Sequence, residues 1–173
     1  YTVQAGHNSS DLDYAATTSL GANGATIVDV AGNSATLTLA SPGATNSLGS
    51  ARNYVIDTTS PTMTITVSPD VDGSTSNDGT LAVTFTSSEA TTNFASGDVT
   101  VTNGSINNTF AASGNAGTTY TATFTPAQSG ATTIKVNAGA FTDAVGNTSA
   151  VSNTIEWTYD GTAPTVSGVI VSG

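Results

Sequence analysis

The chain lacks cysteine and has almost no basic residues. Without cysteine, its 173 residues can form neither a disulfide nor a thiolate metal site. Arg52 and Lys135 are the only basic residues and face 12 acidic ones, which gives a formal net charge of -10. Two cations cannot neutralise a run of phosphates, so the composition excludes nucleic acid and anionic lipid as partners. Cations suit such an acidic surface better.

Long apolar runs and catalytic motifs are also missing. No run approaches the roughly 20 apolar residues that span a bilayer, so we expect no direct membrane insertion. His7 is the only histidine, and it lies in a polar stretch. No nucleophile elbow or oxyanion-hole motif accompanies it, so we expect neither an enzyme nor a zinc site.

Short segments of alternating apolar and polar residues are present instead, and such alternation is typical of half-buried strands. Asn103-Gly104, between two of them, is typical of a two-residue β-hairpin turn. About seven such strands predict an all-β fold in which two antiparallel sheets pack as a Greek-key, immunoglobulin-like β-sandwich. The apolar stripes are Met63, Ile65 and Val67; Leu81, Val83 and Phe85; Val99 and Val101; Tyr120, Ala122 and Phe124; Ile134, Val136 and Ala138; and Val151, Ile155 and Trp157.

One phrase occurs twice, about 100 residues apart. Residues 57–62 read Asp-Thr-Thr-Ser-Pro-Thr and residues 160–165 read Asp-Gly-Thr-Ala-Pro-Thr, each between two strand-like runs. Repetition at this spacing predicts tandem domains, one complete and one partial, in a piece of a longer repetitive protein. The predicted divisions are the C-terminal half of an Ig-like domain at 1–58 with an insertion at 35–50, a complete Ig-like domain at 59–161, and the first strand of a following one at 162–173.

A second phrase, Asp-x-x-Gly-Asn, occurs at residues 29–33 and 143–147. In an immunoglobulin-like strand order, the later copy lies between the last two strands, at the same end as the entry linker and the Ser88-Glu89 loop. Carboxylate and amide oxygens are ligands that Ca²⁺ prefers, so their convergence predicts a calcium site at the domain junction. The alternative is that these residues only cap turns. The predicted ligands are Asp57, Glu89, Asp143 and Asn147.

Other acidic residues are weaker candidates. Asp70, Asp72 and Asp78 resemble an Asp-x-Asp-Gly calcium loop without its later glutamate, and a solvated acidic turn explains them as well. We expect this loop to lie near Asp160, which is itself a weaker candidate ligand. The remaining weaker candidates are the earlier copy's Asp29 and Asn33, together with Asp11 and Asp13.

Four elements together resemble the tandem bacterial Ig-like repeats of giant surface adhesins and related cell-surface or matrix proteins. They are the phrase at 57–62, the Phe-Thr-Ser-Ser-Glu strand end at 85–89, the segment 98–104 and the Asp-x-x-Gly-Asn phrase at 143–147. The sequence departs from the commonest family form at Ala90-Thr91, where a Pro-Val pair often follows the glutamate. The resemblance implies domains that act as extenders at the bacterial cell surface, with Asp57, Glu89, Asp143 and Asn147 binding calcium at a junction.

We therefore predict an extracellular structural extender or adhesion repeat whose partners are neighbouring Ig-like repeats of the same or an identical chain. One alternative is a homopolymeric filament in which residues 166–173 complete the half-domain of a neighbouring copy. Another is a carbohydrate- or ice-binding module. Against a sugar site, the alternation places Trp157, the only tryptophan, in the core; threonines alternate outward on several strands, as on many soluble sheets.

Overall fold

The computed structural model describes residues 2–107, 110–112 and 117–168. It divides into two compact units, Tyr1–Thr59 and Ser60–Gly173. The boundary between them falls inside the first copy of the repeated proline phrase. The two units differ sharply in regular structure, because every strand assigned within the described residues belongs to the second one.

Two sheets form the described part of the second unit. The first sheet contains five strands in the order β1-β3-β7-β5, with β6 also paired to β7, and the second contains four in the order β2-β9-β8-β4. All pairs are antiparallel except β2 with β9. The predicted all-β, two-sheet immunoglobulin-like fold is confirmed. The strands are β1 (Met63–Ser68), β2 (Thr75–Ser76), β3 (Leu81–Ser87), β4 (Val99–Thr102), β5 (Gly104–Ile106), β6 (Ala111–Ala112), β7 (Thr119–Pro126), β8 (Gly130–Val136) and β9 (Ile155–Tyr159).

One apolar core fills the space between the sheets. Among the described residues, the predicted alternating stripes supply every member of this core cluster except Phe94 and Phe141, which lie in the connections that follow β3 and β8. The ring centroid of Phe94 lies 5.1 Å from that of Tyr120 and 5.3 Å from that of Phe141. The two loops therefore pack into the core through aromatic contacts. The core residues are Met63, Ile65, Leu81, Val83, Phe85, Phe94, Tyr120, Ala122, Phe124, Ile134, Val136, Phe141, Ile155 and Trp157.

The prediction is wrong for two members of the apolar stripes. Ala138 and Val151 are exposed, because β8 ends at Val136 and β9 begins at Ile155, so neither residue lies in a paired strand. Ser152 is the hydrogen-bond partner of both backbone groups of Val136. Its Oγ accepts from the Val136 N–H (2.9 Å), and its N–H donates to the Val136 carbonyl (3.0 Å). The chain therefore leaves the ladder at this point, and Ala138 and Val151 belong to the connecting loop.

The predicted hairpin at Asn103-Gly104 is also wrong. β4 pairs with β8 in one sheet and β5 pairs with β7 in the other, so the dipeptide carries the chain between sheets. Asn103 adopts the positive φ of 50° that its type tolerates. Gly104 is required for a different reason: a Cβ there would collide with the Phe124 ring and lie 2.6 Å from the carbonyl oxygen of Thr125.

The first unit has little regular structure in its described residues, 2–59. One short helix, α1 (Leu48–Ala51), and isolated bridges joining Ser9 to Ile56 and Val28 to Ser34 are assigned there. The predicted insertion at 35–50 contains irregular chain, turns and the start of α1. Most of the large apolar side chains in this part of the chain are exposed. They are Val3, Leu20, Ile27, Val28, Val30, Leu48, Tyr54 and Val55.

The predicted first strand of a following domain, at 162–173, lies partly outside the described residues. Residues 162–168 are described and are not assigned to a strand. The remaining five residues of that prediction, like Tyr1 at the other end of the sequence, belong to the part that the structure does not describe.

Candidate metal centre

The Asp143 loop is organised around the carboxylate of Asp143. Its Oδ1 accepts hydrogen bonds from the backbone N–H groups of Val145 (2.9 Å), Gly146 (2.7 Å) and Asn147 (2.9 Å). Its Oδ2 accepts from the side-chain amide of Asn147 at 2.7 Å. Gly146 has a φ of 100°, which other residues rarely adopt. The Asp-x-x-Gly-Asn phrase thus forms a closed loop, and in this copy its carboxylate is buried.

These hydrogen bonds keep Asp143 ionised. Burial acts to raise the pKa of its carboxyl group, but the hydrogen bonds from Asn147, Gly146 and Val145 outweigh burial, and the pKa lies below its usual value of 3.8. A carboxylate that is buried yet charged at neutral pH is suited to binding a cation.

The earlier copy of the phrase, in the first unit, forms the same loop. Asp29 Oδ1 accepts from the N–H groups of Ala31 and Asn33, both at 2.9 Å, and its Oδ2 accepts from the Asn33 side chain at 2.8 Å. The hydrogen bonds from Asn33 are the main cause of a lowered Asp29 pKa. The sequence repeat is therefore also a repeat of local structure.

Glu89 and Asp143 lie close together in the second unit. Each offers one carboxylate oxygen, and the two oxygens are within 4.8 Å of one another. Asp143 is buried and Glu89 is half-buried. Two oxygens that bind one Ca²⁺ at 2.3–2.6 Å can be at most about 5 Å apart, so this pair fits a single calcium ion. Without a cation, two like charges at this distance repel.

Two hydrogen bonds hold the Glu89 loop at the beginning of β1. The Ser88 N–H donates to the Thr62 carbonyl at 2.9 Å, and the Thr62 N–H donates to Ser88 Oγ at 3.0 Å. On the other side, the Ala150 N–H donates to the Pro61 carbonyl at 2.9 Å. Residues 61–62 are thus fastened to both acidic loops.

Asn93 joins the two loops directly, a role that the sequence analysis missed. Its Nδ2 donates to Thr142 Oγ1 (3.2 Å), and its Oδ1 accepts from the Thr142 N–H (3.1 Å). The hydroxyl of Thr91 donates to the same Oδ1 at 3.0 Å. Thr142 directly precedes Asp143, and Asn93 is four residues after Glu89. The 49-residue separation between Asn93 and Thr142 leaves no local signal from which this contact could have been predicted.

Asp57 and Asp160 form matching turns at the two copies of the proline phrase. Asp57 Oδ1 accepts from the Thr59 N–H at 2.9 Å, and Asp160 Oδ1 accepts from the Thr162 N–H at 3.0 Å. Asp57 is near the end of the first unit, and Asp160 directly follows β9 of the second.

The second candidate loop engages its carboxylates in contacts with the protein itself. Asp72 Oδ1 accepts from the Glu156 N–H at 2.7 Å, and Asp70 Oδ2 accepts from the hydroxyl of Ser76. The Ser76 carbonyl also accepts from the Asp160 N–H, so the loop lies near Asp160 as expected. Among the described residues, no group of three carboxylates within 4.8 Å of one another includes Asp70, Asp72 or Asp78.

Asp13 anchors a loop of the first unit. Its Oδ1 accepts from the Tyr14 N–H at 2.8 Å, and its Oδ2 accepts from the Gly43 N–H at 3.0 Å. Burial acts to raise its pKa, but hydrogen bonds from Gly43, Ser47, Tyr14 and Gly49 lower the pKa to about 2. This carboxylate therefore holds residues 43–49, a structural use that its place in an Asp-x-Asp pair did not indicate.

Comparison with known proteins identifies the second unit. No curated protein and no solved structure shows a significant match. Within the described residues, no helix has the length and apolar character needed to cross a membrane. A family model described as bacterial Ig-like domain matches residues 57–159, which is more than half of the chain. Domains of this family usually occur in surface proteins and are typically not enzymatic. With its two-sheet sandwich and this match, the chain belongs to the family of bacterial Ig-like domains.

Proposed function

We propose that this chain is an extender or adhesion segment of a large bacterial surface protein, in which Ca²⁺ stiffens the junction at the start of the Ig-like module. The observation that carries the calcium proposal is the Glu89–Asp143 pair, with oxygens within 4.8 Å. Hydrogen bonds at Ser88, Asn93 and Asn147 hold the loops that bear this pair, so the two carboxylates are preorganised for ion binding. The chain's net charge of -10 favours a cation over any anionic partner.

Asp57 is our proposed third carboxylate ligand. It precedes Pro61 by four residues, and the Pro61 carbonyl is held by Ala150, three residues after Asn147. Four residues of extended chain reach about 14 Å at most, so the linker can bring Asp57 to the Asp143 loop. Asn147 stays a candidate ligand through its amide oxygen, since Nδ2 is the atom that donates to Asp143.

The proposed mechanical effect follows from charge. Without an ion, the carboxylates of the linker and the two loops repel one another, and the linker bends easily. A bound ion neutralises them and ties the linker to the loops through its coordination bonds. The junction then has one preferred geometry, which is the property that an extended surface protein needs in order to project a distal domain.

Thermal unfolding of the full chain in calcium and in chelator tests this proposal. At a calcium concentration about 100 times the dissociation constant, binding adds about 2.7 kcal/mol to stability and raises the melting temperature. Glu89→Gln should remove that shift. The matched control is Glu156→Gln, which changes the chain's other glutamate, an exposed residue on β9. Equal shifts in the two variants would exclude Glu89 as a ligand, and no shift in the unmodified chain would exclude the calcium site.

A filament of identical chains is a second candidate, favoured by the exposed apolar side chains of the first unit. Such a surface needs a covering strand, and we propose residues 166–173 of a second copy as the alternative to a segment of the same polypeptide. Concentration-dependent growth of oligomers, measured by light scattering and abolished by deletion of residues 166–173, would support the filament. A monomer at all concentrations would favour one continuous chain.

The carbohydrate- or ice-binding alternative has less support. Trp157 is 2% exposed, so it cannot stack on a sugar at the surface. Threonines do form two rows across β1, β3 and β7. Adjacent strands rotate by about 20–25°, however, so the rows fan out and do not form the flat lattice that ice requires. The rows are Thr64, Thr86 and Thr119, and Thr66, Thr84 and Thr121.

A further inference from the structure

The chain remains attached to the sandwich after its last strand ends. The Asp160 N–H donates to the carbonyl of Ser76 in β2 at 2.8 Å. The next amide, Gly161 N–H, donates to the hydroxyl of Ser129 at 3.0 Å. Ser129 lies in the turn between β7 and β8, so two successive amides of the exit linker are bound to two different parts of the module.

One serine hydroxyl contacts two linker residues. Besides accepting from Gly161, Ser129 Oγ lies 3.3 Å from Thr162 Oγ1, within hydrogen-bonding distance. The Thr162 N–H in turn donates to Asp160 Oδ1 at 3.0 Å. Residues 160–162 therefore all take part in hydrogen bonds that define their backbone path.

Tyr159 packs against Gly161, so a side chain at residue 161 would displace the Tyr159 ring. A Cβ at residue 161 would lie 2.5 Å from the Tyr159 hydroxyl oxygen and 2.8 Å from Cζ. The Tyr159 ring is itself supported by Trp157, with ring centroids 5.8 Å apart. In the first copy of the proline phrase, the matching positions hold Ile56 and Thr58, so the glycine occurs in the copy that follows a tyrosine.

We propose that Ser129, Tyr159 and the Ser76 carbonyl form an exit latch, which fixes the direction in which residues 160–162 leave the module without a bound ion. The proposed calcium site depends on the loops of Glu89 and Asp143, at the other end of the strands. The exit latch thus goes beyond the calcium proposal. It makes one end of the module rigid through hydrogen bonds and packing alone.

Amide hydrogen exchange, measured by NMR on the full chain, tests the latch. Ser129→Ala should speed exchange at the Gly161 amide by roughly tenfold, the effect of one hydrogen bond of ordinary strength. The matched control is Ser105→Ala, which removes an exposed hydroxyl on β5 and should leave Gly161 exchange unchanged. Adding chelator to the unmodified chain should also leave it unchanged. Equal exchange in the unmodified chain and Ser129→Ala, or loss of protection in chelator alone, would overturn the proposal.

A second variant covers the case in which Ser129→Ala unfolds the module. Gly161→Ala places a Cβ 2.5 Å from the hydroxyl oxygen of Tyr159, the last residue of β9, and changes no residue of the buried core. We expect lower heteronuclear NOE values for residues 160–162 and continued protection of core amides such as that of Ile134. Undiminished order at 160–162 in this variant would contradict the latch. Because neither variant alters Glu89 or Asp143, failure of the latch and failure of calcium binding give separate results.

Discussion

Asn153 pairs with the backbone of Ile65 as a neighbouring strand would. Its Oδ1 accepts from the Ile65 N–H at 2.7 Å, and its Nδ2 donates to the Ile65 carbonyl at 2.9 Å. Ile65 is at the centre of β1, the edge strand of the first sheet, so one side chain from the loop before β9 covers part of an otherwise open edge.

Replacing Asn153 with alanine should destabilise the module by about 1–3 kcal/mol, because both backbone groups of Ile65 lose their partner at a partly buried position. Urea unfolding of the full chain, followed by the fluorescence of Trp157, measures the change. Asn137→Ala is the matched control. It removes an exposed hydrogen bond to Thr100 Oγ1 and should change stability by no more than about 0.5 kcal/mol. Equal losses in the two variants would contradict the role assigned to Asn153.

Gly104→Ala should also be destabilising, by about 1–3 kcal/mol, because the added methyl group overlaps the Phe124 ring and the Thr125 backbone. A backbone carbonyl cannot rotate away as a flexible side chain can. At Gly79 a Cβ would meet nothing within 4 Å, so Gly79→Ala is the matched control and should be close to neutral. The free energies of unfolding of the two variants in urea give the comparison, and a neutral Gly104→Ala would refute the crossing geometry.

Asp143 should make stability depend on pH in acid. Its pKa is lowered in the folded chain, so its ionised form stabilises the fold. This contribution is complete above the ordinary pKa of 3.8 and is lost as the pH falls through the lowered folded value. The stability difference between the unmodified chain and Asp143→Asn should therefore be constant near neutral pH and shrink below pH 3.8. Urea unfolding at several pH values measures it, and a difference that grows in acid would have the wrong sign.

Asn93→Ala should weaken the proposed calcium site by about tenfold or more, as loss of a supporting contact typically does. The Thr142 N–H loses its acceptor, and the Glu89 and Asp143 loops lose the side chain that joins them. Isothermal titration gives the affinity, and melting in chelator gives the stability of the ion-free fold. A role limited to folding would lower the melting temperature and leave the affinity unchanged, and that result would contradict the prediction.

Period-two alternation was sufficient to predict the longer strands and most of the core, but it did not identify the two-residue strands β2 and β6. It identified Leu81, Val83 and Phe85 on β3 because a strand alternates its faces whatever its partners are. It could not identify Phe94 and Phe141, which are in loops and are buried only because those loops fold back over the sheets. The Asn103-Gly104 dipeptide gave a wrong prediction of a hairpin, because its backbone preference suits both a turn within one sheet and a crossing between two sheets.

The candidate site was predictable only in part, because some of its contacts are local in sequence and others are not. The Asp-x-x-Gly-Asn phrase is local, and its loop closes through hydrogen bonds within five residues of chain. The proximity of Glu89 to Asp143 followed from the immunoglobulin-like strand order, which places both loops at one end. Asn93 and Asn153 act on residues 49 and 88 positions away, and such contacts are fixed only by tertiary packing.

Isothermal titration of the full chain with calcium chloride tests the central claim most directly. We predict saturable binding that is lost in Glu89→Gln and Asp143→Asn, weakened in Asp57→Asn, and retained in Glu156→Gln. The absence of binding in the unmodified chain, or binding that survives both Glu89→Gln and Asp143→Asn, would contradict the account.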